Sequence, residues 1–191
     1  MERTALMRVI GCLAAVAIVA GCGLSELESP YKEYSPAEIA HAEDMMSRLP
    51  SLADTEKRLA TLIQNISEAM KTVAPDLEWE VAVKGSQGKL GCLGAYSDSQ
   101  SVSMTTDMLT SSTPISDDEW PEVLQLVRDL AATHGITSLT IDADSPGNHD
   151  VTLHSPDHGN RIRMGTFKAV MLGGVTGCRF RADDLPPQPG E

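Results

Sequence analysis

The spacing of the apolar residues changes near residue 76, and this change strongly constrains the fold. Between residues 52 and 73 they recur at helical spacing, with only Glu56 out of place: Leu52, Leu59, Leu62, Ile63, Ile66, Met70 and Val73. Over residues 77–83 they alternate with polar residues, as in a half-buried strand. A helical stripe followed by such alternation predicts helices that pack on a sheet.

Start and stop signals delimit three helices. Residues 35–38 form a capping box with proline at the first helical position, and Pro50 ends the helix that follows it. The second helix carries the stripe and stops near Pro75. A second capping box at residues 116–119 starts a third helix, which His134-Gly135 closes with a C-terminal glycine.

The remaining patterned segments indicate strands. They cover residues 77–83, 90–96 and 102–108 before the third helix, and residues near 139–141, 149–155, 160–165 and 168–176 after it. The pair around residues 156–159 forms a hairpin if Ser155 pairs with Asn160. That register matches like with like, because it places Leu153 opposite Ile162, Val151 opposite Met164, Thr152 opposite Arg163 and His154 opposite Arg161.

These elements predict an α+β fold with an antiparallel sheet of about six strands. We expect the helices mainly on one face of the sheet, in the order α-α-β-β-β-α-β-β-β. The aliphatic residues must fill the core, with methionine in the gaps, because the chain has only two tryptophans and two phenylalanines.

The first 22 residues have the pattern of an export signal. Arg3 and Arg8 precede an apolar run at residues 9–20, which is shorter than the roughly 20 residues that span a bilayer. Residues 19–22, Val-Ala-Gly-Cys, resemble a bacterial lipobox. This resemblance implies that residues 1–21 are removed and that Cys22 is acylated, which would anchor the chain to the cell membrane. An N-terminal anchor helix or a buried core helix is the alternative.

Domain organisation follows from the same pattern. We expect a lipidated flexible tether at residues 22–35, a single α+β domain at 36–185 and a disordered tail at 186–191. Loss of the signal would leave 170 of the 191 residues and change the net charge from −12 to −13, since it removes two arginines and one glutamate. Such a charge argues against nucleic acid as a partner. It suits a domain held off the membrane, facing the periplasm-like space or the exterior.

Cysteine usage agrees with an exported chain. Cys12 would leave with the signal and Cys22 would carry lipid, so Cys92 and Cys178 remain as an even pair. In an oxidising compartment such a pair predicts a disulfide. A free catalytic thiol or half of a metal site is the alternative.

Several of these features together resemble one family. The lipobox, the two N-terminal helices, the strand with Trp79, Cys92 and the Val-Thr-Gly-Cys-Arg segment at residues 175–179 are similar to the small mycobacterial lipoproteins of the LppA type. The resemblance implies an exported, lipid-anchored α+β domain with a disulfide and no established activity. It assigns roles to Cys22, Cys92 and Cys178, and it implies no catalytic residue.

Candidate metal ligands are grouped near the predicted hairpin. They are His149, Asp150, His154, Asp157 and His158. The register points His149 and His154 to opposite faces and leaves His158 in the turn, so we expect no metal site and no cofactor. Asp142, Asp144, Asn148 and Asp150 could supply oxygen ligands to calcium, although ordinary turn chemistry explains them equally well.

Catalytic motifs are weak. Residues 29–32 and 86–89 match Ser-x-x-Lys, but the first set lies in the tether and the second in a glycine turn, where no helix brings the lysine to the serine. We therefore expect a binding or interaction module without enzymatic activity. An envelope hydrolase is the weaker alternative, and a carrier of a small apolar ligand is the stronger one.

A sheet covered on one side leaves its other face for a partner. We expect that face to carry Thr152, His154, Arg161 and Arg163, together with Ser101, Ser103 and Thr105. Its partner would be another envelope protein, while the membrane is contacted through the lipid. A solvated polar face, common in antiparallel sheets, is the alternative.

Overall fold

The computed structural model describes residues 33–85, 89–97, 99–155 and 159–185. It contains three α-helices, α1 (Pro36–Ser47), α2 (Leu52–Met70) and α3 (Trp120–Ala132). The predicted capping box starts α1, because Glu38 N donates to the Ser35 hydroxyl at 3.3 Å and Ser35 N donates to the Glu38 carboxylate at 2.8 Å. The second box also forms, but it lies in the turn that precedes α3.

Eight strands form two antiparallel sheets. They are β1 (Glu80–Val83), β2 (Lys89–Gly91), β3 (Val102–Met104), β4 (Met108–Ser111), β5 (Ser138–Ser145), β6 (Asn148–His154), β7 (Arg161–Thr166) and β8 (Val170–Val175). The main sheet has six strands in the order β1-β4-β8-β7-β6-β5, and β2 pairs with β3 in a small second sheet. The predicted α+β class and the six-stranded antiparallel sheet are confirmed. Along the chain, four strands precede α3 and four follow it, where the predicted element order has three on each side.

The β6–β7 hairpin has the predicted register. Ser155 N donates to Asn160 O at 3.0 Å, and the four predicted cross-strand pairs are present. Val151, Leu153, Ile162 and Met164 each expose no more than 1 % of their surface. Burial of these four residues fixes the register, because a slip by one residue would turn them toward solvent.

Two predicted strands are shorter than expected. The segment 90–96 leaves the extended conformation after β2, and Gly94 begins a short 3-10 helix with a φ of 69°. The segment 102–108 divides into β3 and β4 at Thr106, whose N donates to Gly174 O and whose hydroxyl accepts from Gly174 N, both at 2.9 Å. This long-range pair redirects the chain from the small sheet to the main one.

The first strand also differs from the prediction. Leu77 is buried before β1 begins, and β1 itself is an exposed edge strand, with Val83 58 % exposed. Trp79 is held by its indole N–H, which donates to Ser67 O at 2.8 Å. Residues 77–79 therefore attach the chain to α2 instead of extending the strand.

The core lies between the helices and one face of the main sheet. The stripe of α2 and the apolar face of α3 cover inward residues of β4, β6, β7 and β8. Gly174 allows close packing here, since a Cβ at that position would lie 3.0 Å from the side chain of Leu59. Helix α2 therefore rests closely on β8, near the middle of the sheet.

Candidate functional site

The opposite face of the main sheet carries no core residue and is called the open face here. Alternation along the strands points Met108, Asp150, Thr152, Arg163 and Met171 to this side, while their neighbours along each strand are buried. The predicted partner residues Thr152, His154, Arg161 and Arg163 lie together on it, on β6 and β7.

Three other residues were expected on the open face, and the structure does not place them there: Ser101, Ser103 and Thr105. Ser101 and Ser103 are 5 % and 6 % exposed, so they are buried, and Ser103 belongs to the small sheet. Thr105 is half-buried and forms an isolated bridge with Val175. The expectation for the two serines was wrong because the chain turns at Thr106 instead of continuing one strand.

The β5–β7 half of the open face is polar and internally paired. Arg163 binds Asp150 with two hydrogen bonds, with 3.1 Å from Nε to Oδ1, and these bonds raise the pKa of the arginine. The Thr152 hydroxyl donates to Asp142 Oδ2 at 2.8 Å. Arg161 is exposed and makes no ion pair with another residue that the structure describes. Its guanidinium is thus available for a partner.

The β4–β8 half of the open face is apolar and was not predicted. Met108 and Met171 are 38 % and 47 % exposed, and Val83 of β1 pairs with Met108. Gly173 of β8 lies beside Met108, where it leaves a shallow surface. The alternation in β8 could have predicted that Met171 lies on the open face, because its neighbours Val170 and Leu172 are apolar and point into the core.

The disulfide is present between Cys92 and Cys178, with their Cα atoms 6.0 Å apart. It connects the segment after β2 to the segment after β8, where Arg179 and Val102 exchange two backbone hydrogen bonds. The pair is structural, because Cys92 is buried and both thiols are consumed.

The predicted lipidation site, Cys22, lies outside the described residues. Within residues 33–85, 89–97, 99–155 and 159–185, none of the helices combines the length and the apolar character needed to cross a bilayer. The Ser-x-x-Lys serines Ser29 and Ser86 are also outside the described part of the chain.

His149 is the centre of a polar clamp. Its Nε2 is 2.9 Å from Asp117 Oδ1 and its Nδ1 is 2.8 Å from Asp144 Oδ1, so both ring nitrogens are engaged. The ring is buried and stacks on Trp120, with centroids 4.7 Å apart. Asp117 also accepts from Gly147 N at 2.7 Å, and this bond, followed by the one to His149, lowers the pKa of Asp117.

The candidate metal ligands do not converge. His149 points inward and His154 outward, as the register predicted, and Asp157 and His158 are outside the described residues. No group of three or more histidine, cysteine, aspartate or glutamate side chains in the described residues could hold a metal ion. The calcium alternative is not supported either, because donors of the chain itself bind the carboxylates of Asp142, Asp144 and Asp150.

Two concavities lie on the helical side. A groove of about 430 Å³ between α2 and α3 has an apolar floor of Ala69, Leu126 and Leu130, and it is open to solvent. The inward side chains beneath the helices are exposed by 5 % or less, so the apolar interior is filled by the chain itself. This packing disfavours the carrier alternative.

The second concavity is polar, measures about 380 Å³ and is called the cationic cavity here. It lies between the first half of α2, the end of α3 and the segment that follows β8. The polar side chains that line it are those of Thr55, Arg58, Thr133, His134, Asn160 and Arg179. No local sequence pattern predicts this cavity, since its lining residues come from four separate segments.

One solved structure has a similar architecture. The crystal structure of LppA from Mycobacterium tuberculosis is similar to this chain with a TM-score of 0.65 and 17 % identity, covering 81 % of this chain and 92 % of that one. The likeness shows a shared fold. A DUF4853 family protein from Actinomyces odontolyticus matches with a TM-score of 0.48 and 14 % identity, over 75 % and 76 % of the two chains.

No curated protein sequence matched the chain. The family LppA, described as a lipoprotein confined to pathogenic Mycobacterium, matches residues 27–182. This match covers the helices, both sheets and both cysteines of the disulfide. The chain therefore belongs to the LppA family of mycobacterial envelope lipoproteins.

Proposed function

We propose that this lipoprotein is a non-enzymatic binding module on the outer side of the plasma membrane, and that it binds another envelope protein through the open face. The observation that carries the proposal is an uncovered apolar patch beside a paired polar one. Met108 and Met171 stay 38 % and 47 % exposed, although Leu109 of β4 and Val170 and Leu172 of β8 are buried.

The composition of the open face supports a protein partner. Methionine and arginine are enriched in protein–protein interfaces relative to the rest of a protein surface. Exposed apolar surface with a polar surround is typical of such sites. Here Met108 and Met171 supply the apolar contact, and Arg161 and Arg163 border it on β7.

The two arginines would act differently in the complex. Asp150 already fixes Arg163, so this side chain loses little conformational freedom on binding. Arg161 makes no ion pair with another described residue and is exposed, so it can meet a carboxylate of the partner. We infer a partner surface with an apolar centre and an acidic residue opposite Arg161.

The anchor supports the proposed location. Acylation of Cys22 would hold the domain by a tether of about a dozen residues, and two or more acyl chains give stable attachment at about 0.8 kcal/mol per buried methylene. A tether of this kind leaves the open face accessible to proteins beside the anchor. It requires no contact between the acidic domain and the lipid surface.

Photocrosslinking of the protein and of two charge-reversal variants tests this function. A photoreactive residue at Met171 of the full-length protein should crosslink a defined envelope protein in intact cells, and Arg161→Glu should abolish that crosslink. The matched control is Arg128→Glu, which reverses one exposed charge on α3, away from the open face. The proposal is wrong if the crosslinked species is the same for Arg161→Glu and the unsubstituted protein.

A further inference from the structure

We propose that residues 90–97 form a contact with the lipid surface, with Leu93 inserted among the lipids. Leu93 is 86 % exposed, more than any other large apolar residue in the described part of the chain, and Phe167 follows with 61 %. Leu90, in the same segment, is 42 % exposed. The contact lies beyond the proposed function of the open face, but it rests on the same anchor at Cys22.

The backbone on both sides of Leu93 is fixed. Cys92, which precedes it, is buried and bonded to Cys178. Gly94, which follows it, has a φ of 69° and begins the short 3-10 helix. Leu93 therefore stays exposed at a fixed place on the surface, and burial of its side chain against a partner costs little further backbone freedom.

The tether enters the domain beside this segment. The Tyr34 hydroxyl lies 3.4 Å from the position that a Cβ on Gly94 would occupy, and α1 contacts the 3-10 helix. Glu33 is 11 residues beyond Cys22. The flexible tether predicted from the sequence would have a mean span of about 17–20 Å over this distance, and a fully extended chain would reach about 40 Å at most. Acylation of Cys22 would therefore hold residues 90–97 close to the lipid surface.

The composition of the segment suits a lipid interface. Residues 90–97, Leu-Gly-Cys-Leu-Gly-Ala-Tyr-Ser, include no charged side chain, although 22 % of the chain is charged. Insertion of this segment would therefore strip water from no ionised group of its own. Tyr34 and Tyr96 are half-buried, and tyrosine is enriched at membrane interfaces because its ring is apolar and its hydroxyl is polar. Leucine at such a place would reach about 5–10 Å into the boundary between headgroups and acyl chains.

Residues 90–97 lie at one end of the main sheet. The disulfide ties Cys92 to Cys178, which follows the end of β8. Phe167 lies in the turn that precedes β8, at the other end of that strand. The six residues of β8 span about 20 Å. Insertion of Leu93 would thus point Phe167 away from the membrane and leave the open face at the side of the domain, where a protein of the same membrane can reach it.

Fluorescence quenching by brominated lipid tests the contact. The lipidated protein with Leu93→Trp is reconstituted into phosphatidylcholine vesicles whose acyl chains are brominated close to the headgroup, and the signal of the unsubstituted protein is subtracted. Phe167→Trp is the matched control, because Phe167 is also apolar and exposed. We expect the tryptophan introduced by Leu93→Trp to be quenched at least about threefold more than the control. The difference should persist at about 0.5 M salt, because the contact is apolar and is not screened.

Equal quenching of the two introduced tryptophans would overturn the contact. Blue-shifted emission from Leu93→Trp without quenching would also overturn it, because a protein and not lipid would then cover this position. In a second measurement on vesicles, Leu93→Glu should speed hydrogen exchange of the amides of residues 90–97, and Phe167→Glu should not change their exchange; equal exchange in the two variants would contradict the proposal. The crosslink at Met171 reports on the open face alone, so either test can fail while the other succeeds.

Discussion

The His149 clamp gives the sharpest prediction about stability. His149, in the β5–β6 hairpin, binds Asp144 of the same hairpin and Asp117 of the loop before α3. The clamp therefore ties this loop to the hairpin. His149→Ala removes a buried ring that is stacked on Trp120 and hydrogen bonded at both nitrogens. We expect this substitution to lower the free energy of unfolding without changing the fold.

The magnitude follows from the contacts. The stacked pair contributes about 1 kcal/mol beyond burial, and the void left by the ring adds about 1–2 kcal/mol. Asp117 and Asp144 are 50 % and 60 % exposed, so water replaces most of the hydrogen bonding that their carboxylates lose with His149. These two hydrogen bonds therefore add little to the expected loss of stability. The expected loss is about 2–3 kcal/mol, which corresponds to a fall in Tm of roughly 5–10 °C.

Urea unfolding followed by tryptophan fluorescence measures this loss. His154→Ala is the matched control, because His154 lies on the same strand but points outward, and its side chain has one hydrogen bond of 3.4 Å, to Thr140, among the described residues. We expect the control to lose less than about 1 kcal/mol. His149→Phe should recover the stacking part alone. If His149→Ala and His154→Ala lose the same free energy, the clamp does not stabilise the fold.

Three further predictions concern acid stability, the disulfide and the anchor. The pKa of Asp117 is below its ordinary value of 3.8, so the stability that its ionised carboxylate contributes is complete above pH 3.8 and is lost as the pH falls through the lowered pKa. The Tm difference between the unsubstituted protein and Asp117→Asn should therefore shrink between pH 5 and pH 2.5. A Tm difference that stays constant over this range would contradict the prediction. Replacement of Cys92 and Cys178 together by alanine should cost up to about 4.5 kcal/mol, from the loop the disulfide closes, measured by urea unfolding; an unchanged midpoint would refute this. Cys22→Ala should abolish acyl labelling in cells, and continued labelling would refute the lipobox interpretation.

Local patterns predicted the elements that depend on neighbours in sequence. The β6–β7 register was predictable because apolar residues alternate on both strands and the turn between them is short. The same register places Thr152, His154, Arg161 and Arg163 on one face whatever the order of the other strands. Capping boxes located the start of α1 and the turn before α3 for the same reason.

Long-range pairing was not predictable from these patterns. The break between β3 and β4 depends on Thr106 and Gly174, which are 68 residues apart. The apolar half of the open face depends on β8 lying between β4 and β7, an order that alternation within one strand does not specify. The His149 clamp unites side chains from residues 117, 144 and 149, and the cationic cavity unites four segments, so neither leaves a local motif.

The position of β8 has a consequence for how the chain acquires its structure. This last strand is central, with β4 on one side and β7 on the other, so the strands before α3 and those after it are joined in one sheet only through it. A chain exported N-terminus first cannot complete the sheet until residues 170–175 have emerged. Cys178 lies three residues beyond β8, so the disulfide can close only after every strand of the main sheet has been exported. Truncation before Val170 would leave two separate sets of strands with unpaired edges, a substrate for envelope proteases.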